Sequence, residues 1–158
     1  MNLDHQFNPN INSLQLEAKK FFSGHYNCAQ ATFLPFALRY GMSKDIAAKL
    51  ALPFGGGMSQ EGQVCGAVSG GVLAIGLFIG TSEDDPRQKT ACYEMAKELI
   101  YRFKALHGEI NCPGLLGYNL GNQSGKVRNR DPYLFQTPCS KFVVDTVEIV
   151  KALLSIEA

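Results

Sequence analysis

The sequence predicts an all-α fold, a compact bundle of about six helices around a buried, glycine-rich central helix. Apolar residues recur at three- and four-residue spacing in segment after segment, and no stretch alternates as a half-buried strand would. The uncharged run from Val64 to Gly80, 17 residues, is too long for a strand and leaves little polar face.

Each element follows from its punctuation. Ser13 caps a first helix with Leu14, Ala18, Phe21 and Phe22 on one face, ended by Gly24. Asn27 caps a second, Cys28 to Tyr40, which carries Ala31, Phe33, Leu34, Ala37 and Leu38, bends at Pro35 and stops at Gly41. Ser43 caps a third, Lys44 to Leu52, with Ile46, Ala47 and Leu50 expected inward and Pro53 as its stop. Phe54 to Gly62 (FGGGMSQEG) is a glycine-rich loop leading into the central helix. Glycine in a helix interior costs about 1 kcal/mol against alanine. A stable helix with Gly66, Gly70, Gly71 and Gly76 therefore needs a neighbour close against its backbone.

Asp84, Asp85 and Pro86 open a long helix with Cys92, Met95, Leu99, Phe103 and Leu106 inward, closed by Gly108. Cys112-Pro113 starts a short turn through Leu116. Residues 117–137 form a long polar loop carrying Lys126, Arg128 and Arg130, and Pro138-Cys139-Ser140 opens a last helix with Phe142, Val143, Val147, Val150, Leu153 and Leu154. No segment repeats, and residues 1–158 are expected to form a single helical domain.

Composition narrows the function classes. Charged residues make up 18% of the chain and the net charge is +1, which excludes the basic footprint of a nucleic-acid binder. The apolar run falls short of the roughly 20 residues of a membrane span and is broken by glycines, so it reads as a buried helix. Met1 to Gln6 has neither a basic nor an apolar region of a secretory signal, and the expected compartment is the cytoplasm, where thiols stay reduced.

Cysteine is the unusual component: five residues and no CxxC pair. Cys28, Cys65, Cys112 and Cys139 all fall at predicted helix starts, where unpaired N–H groups and the helix dipole favour thiolate and lower the thiol pKa. Cys92 lies on the apolar stripe of a helix and reads as a packing residue. Gly55, Gly56 and Gly57 are candidates to bind a cofactor through backbone N–H groups, although no GKS/T ending marks a nucleotide loop. His25 and Glu61 are weaker candidates, with a surface side chain the default for both.

The hexapeptide Cys65-Gly66-Ala67-Val68-Ser69-Gly70 resembles the signature of the C_GCAxxG_C_C family of redox-active proteins. Asn27-Cys28-Ala29-Gln30-Ala31 looks like that family's first cysteine segment, Phe54-Gly55-Gly56-Gly57-Met58 like its glycine-rich approach, and Ile110-Asn111-Cys112 and Cys139 like its third and fourth cysteines. The resemblance runs from about Tyr26 to the last helix and implies that Cys28, Cys65, Cys112 and Cys139 are the site, with Cys92 outside it. A related group, the split-Soret cytochromes c, carries a two-iron, two-sulfur (2Fe-2S) cluster beside c-type haems. This chain has no CxxCH, so covalent haem is not expected.

Three readings follow. In the first, Cys28, Cys65, Cys112 and Cys139 hold an iron–sulfur cluster (2Fe-2S) or another thiolate-bound metal and pass electrons to an unidentified redox partner. In the second, Cys28 and Cys65 cycle between dithiol and disulfide without metal. In the third, the chain is a non-catalytic helical module for a ligand or protein, and the cysteines are core residues. The apolar, glycine-rich helix makes a homodimer a further candidate.

Overall fold

The computed structural model describes residues 13–117 and 132–156. It is all-α: seven helices and one 3-10 turn among the described residues, with a lone antiparallel bridge between Val64 and Asn111 in place of any strand. The helices are α1 (Ser13–Ser23), α2 (Cys28–Tyr40), α3 (Lys44–Ala51), α4 (Gly66–Ile79), α5 (Pro86–His107), α6 (Cys112–Leu116) and α7 (Pro132–Leu153), with the 3-10 turn at Leu52–Phe54. No described helix is long and apolar enough to cross a membrane.

Three caps formed where the sequence placed them, whereas Ser13, expected to cap α1, is itself the first described residue of that helix. The Asn27 side chain accepts the Gln30 N–H while the Gln30 side chain accepts the Asn27 N–H, a reciprocal box that starts α2. Ser43 accepts the Ile46 N–H to start α3, and Asp85 accepts from Arg87 and Gln88 to start α5. Gly41, Gly108 and Gly117 end their helices in the left-handed region.

Helix α4 is the axis of the bundle, packed on α2, α5 and α7, with α1 across α2 and α7. Its glycines are where neighbours come close. A methyl at Gly70 would lie 2.6 Å from the Ala29 carbonyl oxygen and 3.0 Å from Thr32 Cβ, so α2 approaches the α4 backbone directly. At Gly71 a methyl would meet Thr146 Cγ2 at 2.7 Å, Leu99 Cδ2 at 2.8 Å and Val150 Cγ2 at 3.1 Å, which is the seat of α5 and α7. The core around these contacts contains Phe36, Phe103, Leu34, Ile75, Val143 and Val147, all inaccessible to solvent.

Four expectations need correction. Ile46 and Leu50 face solvent, because α3 packs only a narrow Ala47/Ala51 edge inward. Leu106 is also exposed, since α5 turns its last inward positions, Leu99 and Phe103, onto the core one turn earlier. Residues 132–137 belong to α7 rather than to a loop; residues 118–131, with Lys126, Arg128 and Arg130, lie outside the described residues. Cys139 is consequently inside α7, beyond Pro138, and not at a helix start. Proline supplies no N–H, but the helix has already begun six residues before it.

The glycines of α4 are therefore not equivalent. Gly71→Ala is expected to destabilise the chain by about 1–3 kcal/mol through overpacking. Gly76 is exposed with nothing within 4 Å of an added methyl, so Gly76→Ala is expected to stabilise by up to about 1 kcal/mol. Urea denaturation of the two variants checks this, and equal effects would contradict the packing described.

Candidate functional site

The site grows from the start of α2. The Asn27 side-chain amide donates to the Leu52 carbonyl (2.9 Å), and Gln30, almost fully buried, donates to the Ala48 carbonyl (2.9 Å). These two bonds tie the first turn of α2 to the end of α3 and to the 3-10 turn. A methyl on Gly55 would collide with the Asn27 side chain, so the loop enters directly over this cap. Cys28, at the first helical position, points its sulfur into the gap between α2, the loop and α4.

That sulfur is surrounded by backbone donors: the N–H groups of Gly56, Ala29, Gly66 and Cys28 itself. Gly66, the first residue of α4, has no room for a side chain because Cys28 Sγ occupies that space. One sulfur thus sits where two helix N-termini and a glycine loop meet, a concentration of partial positive charge suited to thiolate or to cluster sulfur.

Cys65 and Cys112 are brought together by backbone pairing. The Cys65 N–H donates to the Ile110 carbonyl (2.7 Å), and the Cys112 N–H donates to the Gln63 carbonyl (2.9 Å), on either side of the Val64–Asn111 bridge. The chain reaches this bridge from α5, whose last turn is held on α7. His107 Nε2 stands 3.0 Å from Asp145 Oδ2, and its ring packs on Phe103 and Phe142. The Glu109 carboxylate then accepts the Ile110 and Asn111 N–H groups, which holds its pKa below the usual carboxylate range. Cys139 comes from α7, one turn before Phe142.

The glycine loop carries an unusual backbone. Gly56, Gly57, Met58, Ser59 and Gln60 all have positive φ (68°, 72°, 65°, 50° and 66°), a run of left-handed turn. For L-residues other than glycine this conformation costs about 1–2 kcal/mol each, so Met58, Ser59 and Gln60 are strained. Gly57 is buried under the turn, where an added methyl would stand 3.0 Å from Cys112 Cβ and 2.7 Å from the Gln63 backbone.

Charge–charge interactions link Cys28 and Cys112 to each other and to both Cys65 and Cys139, while Gly55 lies against Asn27, Gly56 against Gln60 and Gly57 against Cys112 and Gln63. Cys92 packs against the core from α5 as a free thiol. His25 is exposed and stacks on Tyr26, and Glu61 is exposed on the loop. Gln30 was the residue missed: its position three after Asn27 was the available signal of a capping box. The backbone donors of Ala29 and Gly66 carry no side-chain signal at all.

The expected lowering of the thiol pKa values is overturned. Burial pushes all four upward, Cys112 to about 11 and Cys139 to about 12, and the other cysteines' charges add to burial at Cys65, Cys112 and Cys139. The amides around Cys28 oppose its rise without reversing it. Helix N-termini offer partial charges only, and removing a thiolate from water outweighs them here. Among the described residues, no three or more Cys, His, Asp or Glu side chains converge on a point that would hold a single metal ion.

The raised values link stability to pH. In reduced, metal-free protein the unfolded thiols lose their protons near pH 9, while folded Cys112 and Cys139 keep theirs to about 11 and 12. In that interval the folded state binds more protons, so unfolding free energy falls as pH rises. Urea midpoints at pH 8, 9.5 and 10.5 are expected to drop more steeply for the native chain than for the Cys112→Ser/Cys139→Ser variant. Parallel slopes would contradict the burial of these two thiols.

A family model described as "Putative redox-active protein (C_GCAxxG_C_C)" matches residues 26–153, a span that contains every cysteine. The chain is 28% identical over 137 residues to an uncharacterised protein of Archaeoglobus fulgidus, covering 81% of this chain and 84% of that one. No solved structure matches it. With most of its length matched, from the Asn27 cap to the end of α7, the chain belongs to the C_GCAxxG_C_C family of redox-active proteins.

Proposed function

We propose that this protein is an electron carrier whose Cys28, Cys65, Cys112 and Cys139 hold an iron–sulfur cluster, of the two-iron, two-sulfur type in its simplest form. The observation that carries the reading is the Cys28 sulfur, ringed by four backbone N–H groups and within electrostatic reach of three further thiols. Four thiols whose pKa values burial raises, with no cation of the described residues acting on them, are poor nucleophiles as they stand, and a metal supplies the positive charge that would draw off their protons.

The donor set suits one of two kinds of centre better. A mononuclear site needs all its ligands on one ion, and among the described residues three or more do not converge so. A dinuclear cluster asks only for two thiolates at each iron, and four cysteines supply that number. The cluster would contribute one-electron transfer. The chain's part is to exclude water, to direct the Gly56, Ala29 and Gly66 N–H groups at sulfur and so raise the potential, and to keep the centre near the surface loop for exchange with a partner.

The metal-free dithiol reading keeps one supporting observation: the Cys28 sulfur lies against Gly66, the residue after Cys65, so the two thiols are neighbours. Oxidation to a disulfide would release two protons and two electrons to an external disulfide. The raised pKa values of both thiols count against it.

Anaerobic reconstitution with ferrous iron and sulfide separates the readings. The expected product has the visible absorption of an iron–sulfur cluster and gives a paramagnetic signal on reduction. Serine at any one of Cys28, Cys65, Cys112 or Cys139 is expected to abolish or shift that spectrum, and Cys92→Ser to leave it unchanged. A chain that retains no iron or sulfide, and whose thiol count falls by two under mild oxidation, would be the dithiol protein instead.

A further inference from the structure

Two glycines stand where a β-carbon would crowd a cysteine side chain, and they do so for different reasons. A methyl on Gly57 would lie 3.0 Å from Cys112 Cβ and 2.7 Å from the Gln63 nitrogen and oxygen. Gly57 also has a φ of 72°, so its backbone asks for glycine whatever the space. Gly66, the first residue of α4, has no positive φ, and any L-residue could take its helical conformation. Its methyl would fall on Cys28 Sγ, with the Phe54 carbonyl oxygen at 3.0 Å and the Ala29 nitrogen at 3.2 Å. The atom that meets it first is a sulfur, so position 66 is glycine for the room it leaves to Cys28.

The Cys28 backbone is held independently of that contact. Asn27 and Gln30 box the first turn of α2, and the Cys28 carbonyl accepts the Thr32 hydroxyl (2.8 Å). With the backbone fixed, the sulfur is free only to rotate about χ1 among a few staggered positions. The position it takes lays Sγ against the start of α4, beside the residue that follows Cys65. A methyl at position 66 closes that position. The sulfur, at the end of a short side chain, can turn away, whereas the Phe54 and Ala29 backbone need yield only a few tenths of an ångström. The other close-packed glycines of α4 have no such neighbour: Gly70 meets Ala29 and Thr32, and Gly71 meets Thr146, Leu99 and Val150.

We propose that Gly66 is a positioning residue for Cys28: its missing side chain selects the rotamer that sets the sulfur against the start of α4, and one methyl added there undoes the site with all four cysteines retained. What the seated sulfur holds rests on the electron-carrier reading, while the seat itself belongs to the metal-free chain. The consequence for a cluster is direct. Metal–ligand distances tolerate about 0.2 Å, and a change of rotamer moves a sulfur by much more. Gly66 thus acts on the centre through Cys28, and the packing glycines do not.

The test pairs Gly66→Ala with Gly71→Ala, a change in the same helix whose methyl meets no cysteine. Both are made in the full chain with every cysteine present. In reduced protein kept with a chelator, iodoacetamide labelling of Cys28 is expected to be about fivefold faster or more in Gly66→Ala, and within about twofold of native in Gly71→Ala. After anaerobic reconstitution with ferrous iron and sulfide, Gly66→Ala is expected to lose or shift the visible spectrum and Gly71→Ala to keep it. A folded Gly66→Ala chain that labels at the native rate, or that gives the native spectrum, overturns the proposal. Equal acceleration in Gly71→Ala overturns it too, since loosened packing would then be enough. Should Gly66→Ala fail to fold, Cys28→Ala/Gly66→Ala decides: recovery of folding places the clash at the sulfur, and continued failure places it at the backbone and overturns the seat. A native chain that takes up no cluster, while Gly66→Ala still exposes Cys28, overturns the electron-carrier reading and upholds the seat.

Discussion

The close approach of α2 to α4 is the constraint on which the rest depends. Gly70 lets the Ala29 carbonyl and Thr32 come down on the α4 backbone, and Gly66 leaves its missing side chain's space to the Cys28 sulfur. Both are glycines in the first half of one helix, where each costs helix stability and each is offset by packing. Move α2 outward by the width of a methyl group and the Cys28 sulfur leaves the space beside Gly66. Gly71 extends the same logic to α5 and α7 one residue later. The uncharged helix is therefore less a hydrophobic plug than a surface cut away to let three other helices in.

Around that contact the site is assembled by backbone more than by side chains. A bridge only a few residues long sets Cys65 beside Ile110 and Gln63 beside Cys112. The end of α5, clamped by His107 between Phe103, Phe142 and Asp145, determines where the second arm of that bridge begins. The strained glycine loop then lies against Cys112. Burial is the common consequence, and it explains why the thiols behave opposite to the simple expectation for helix N-termini. A dipole acts on a charge that is present, whereas desolvation decides whether the charge forms.

Much of this was legible in the residues. The caps Asn27, Ser43 and Asp85 start helices because a short polar side chain can take the free N–H groups of a first turn, a local effect that needs no tertiary context. Gly41 and Gly108 stop helices for an equally local reason. Ile46, Leu50 and Leu106 went the other way: three-and-four spacing locates an apolar face but not how much of it a neighbour will cover. Pro138 was read as a start because proline favours the first turn, although Asp131-Pro132 offers the same pairing of an acid with a first-turn proline that opens α5.

The sequence alone determined the all-α class, the order of the helices, and the glycine-rich stretch that had to meet something closely. Those are properties of local conformation and of composition. Only the tertiary structure decided which backbone meets which: that Gly66 faces Cys28, that Gln63 pairs with Cys112, that five successive residues turn left-handed above them, and that burial rather than the helix dipole governs the thiols. The reason is physical. Backbone N–H groups and glycines carry no side-chain signature of their partners, and the desolvation of a sulfur depends on what every neighbouring helix excludes.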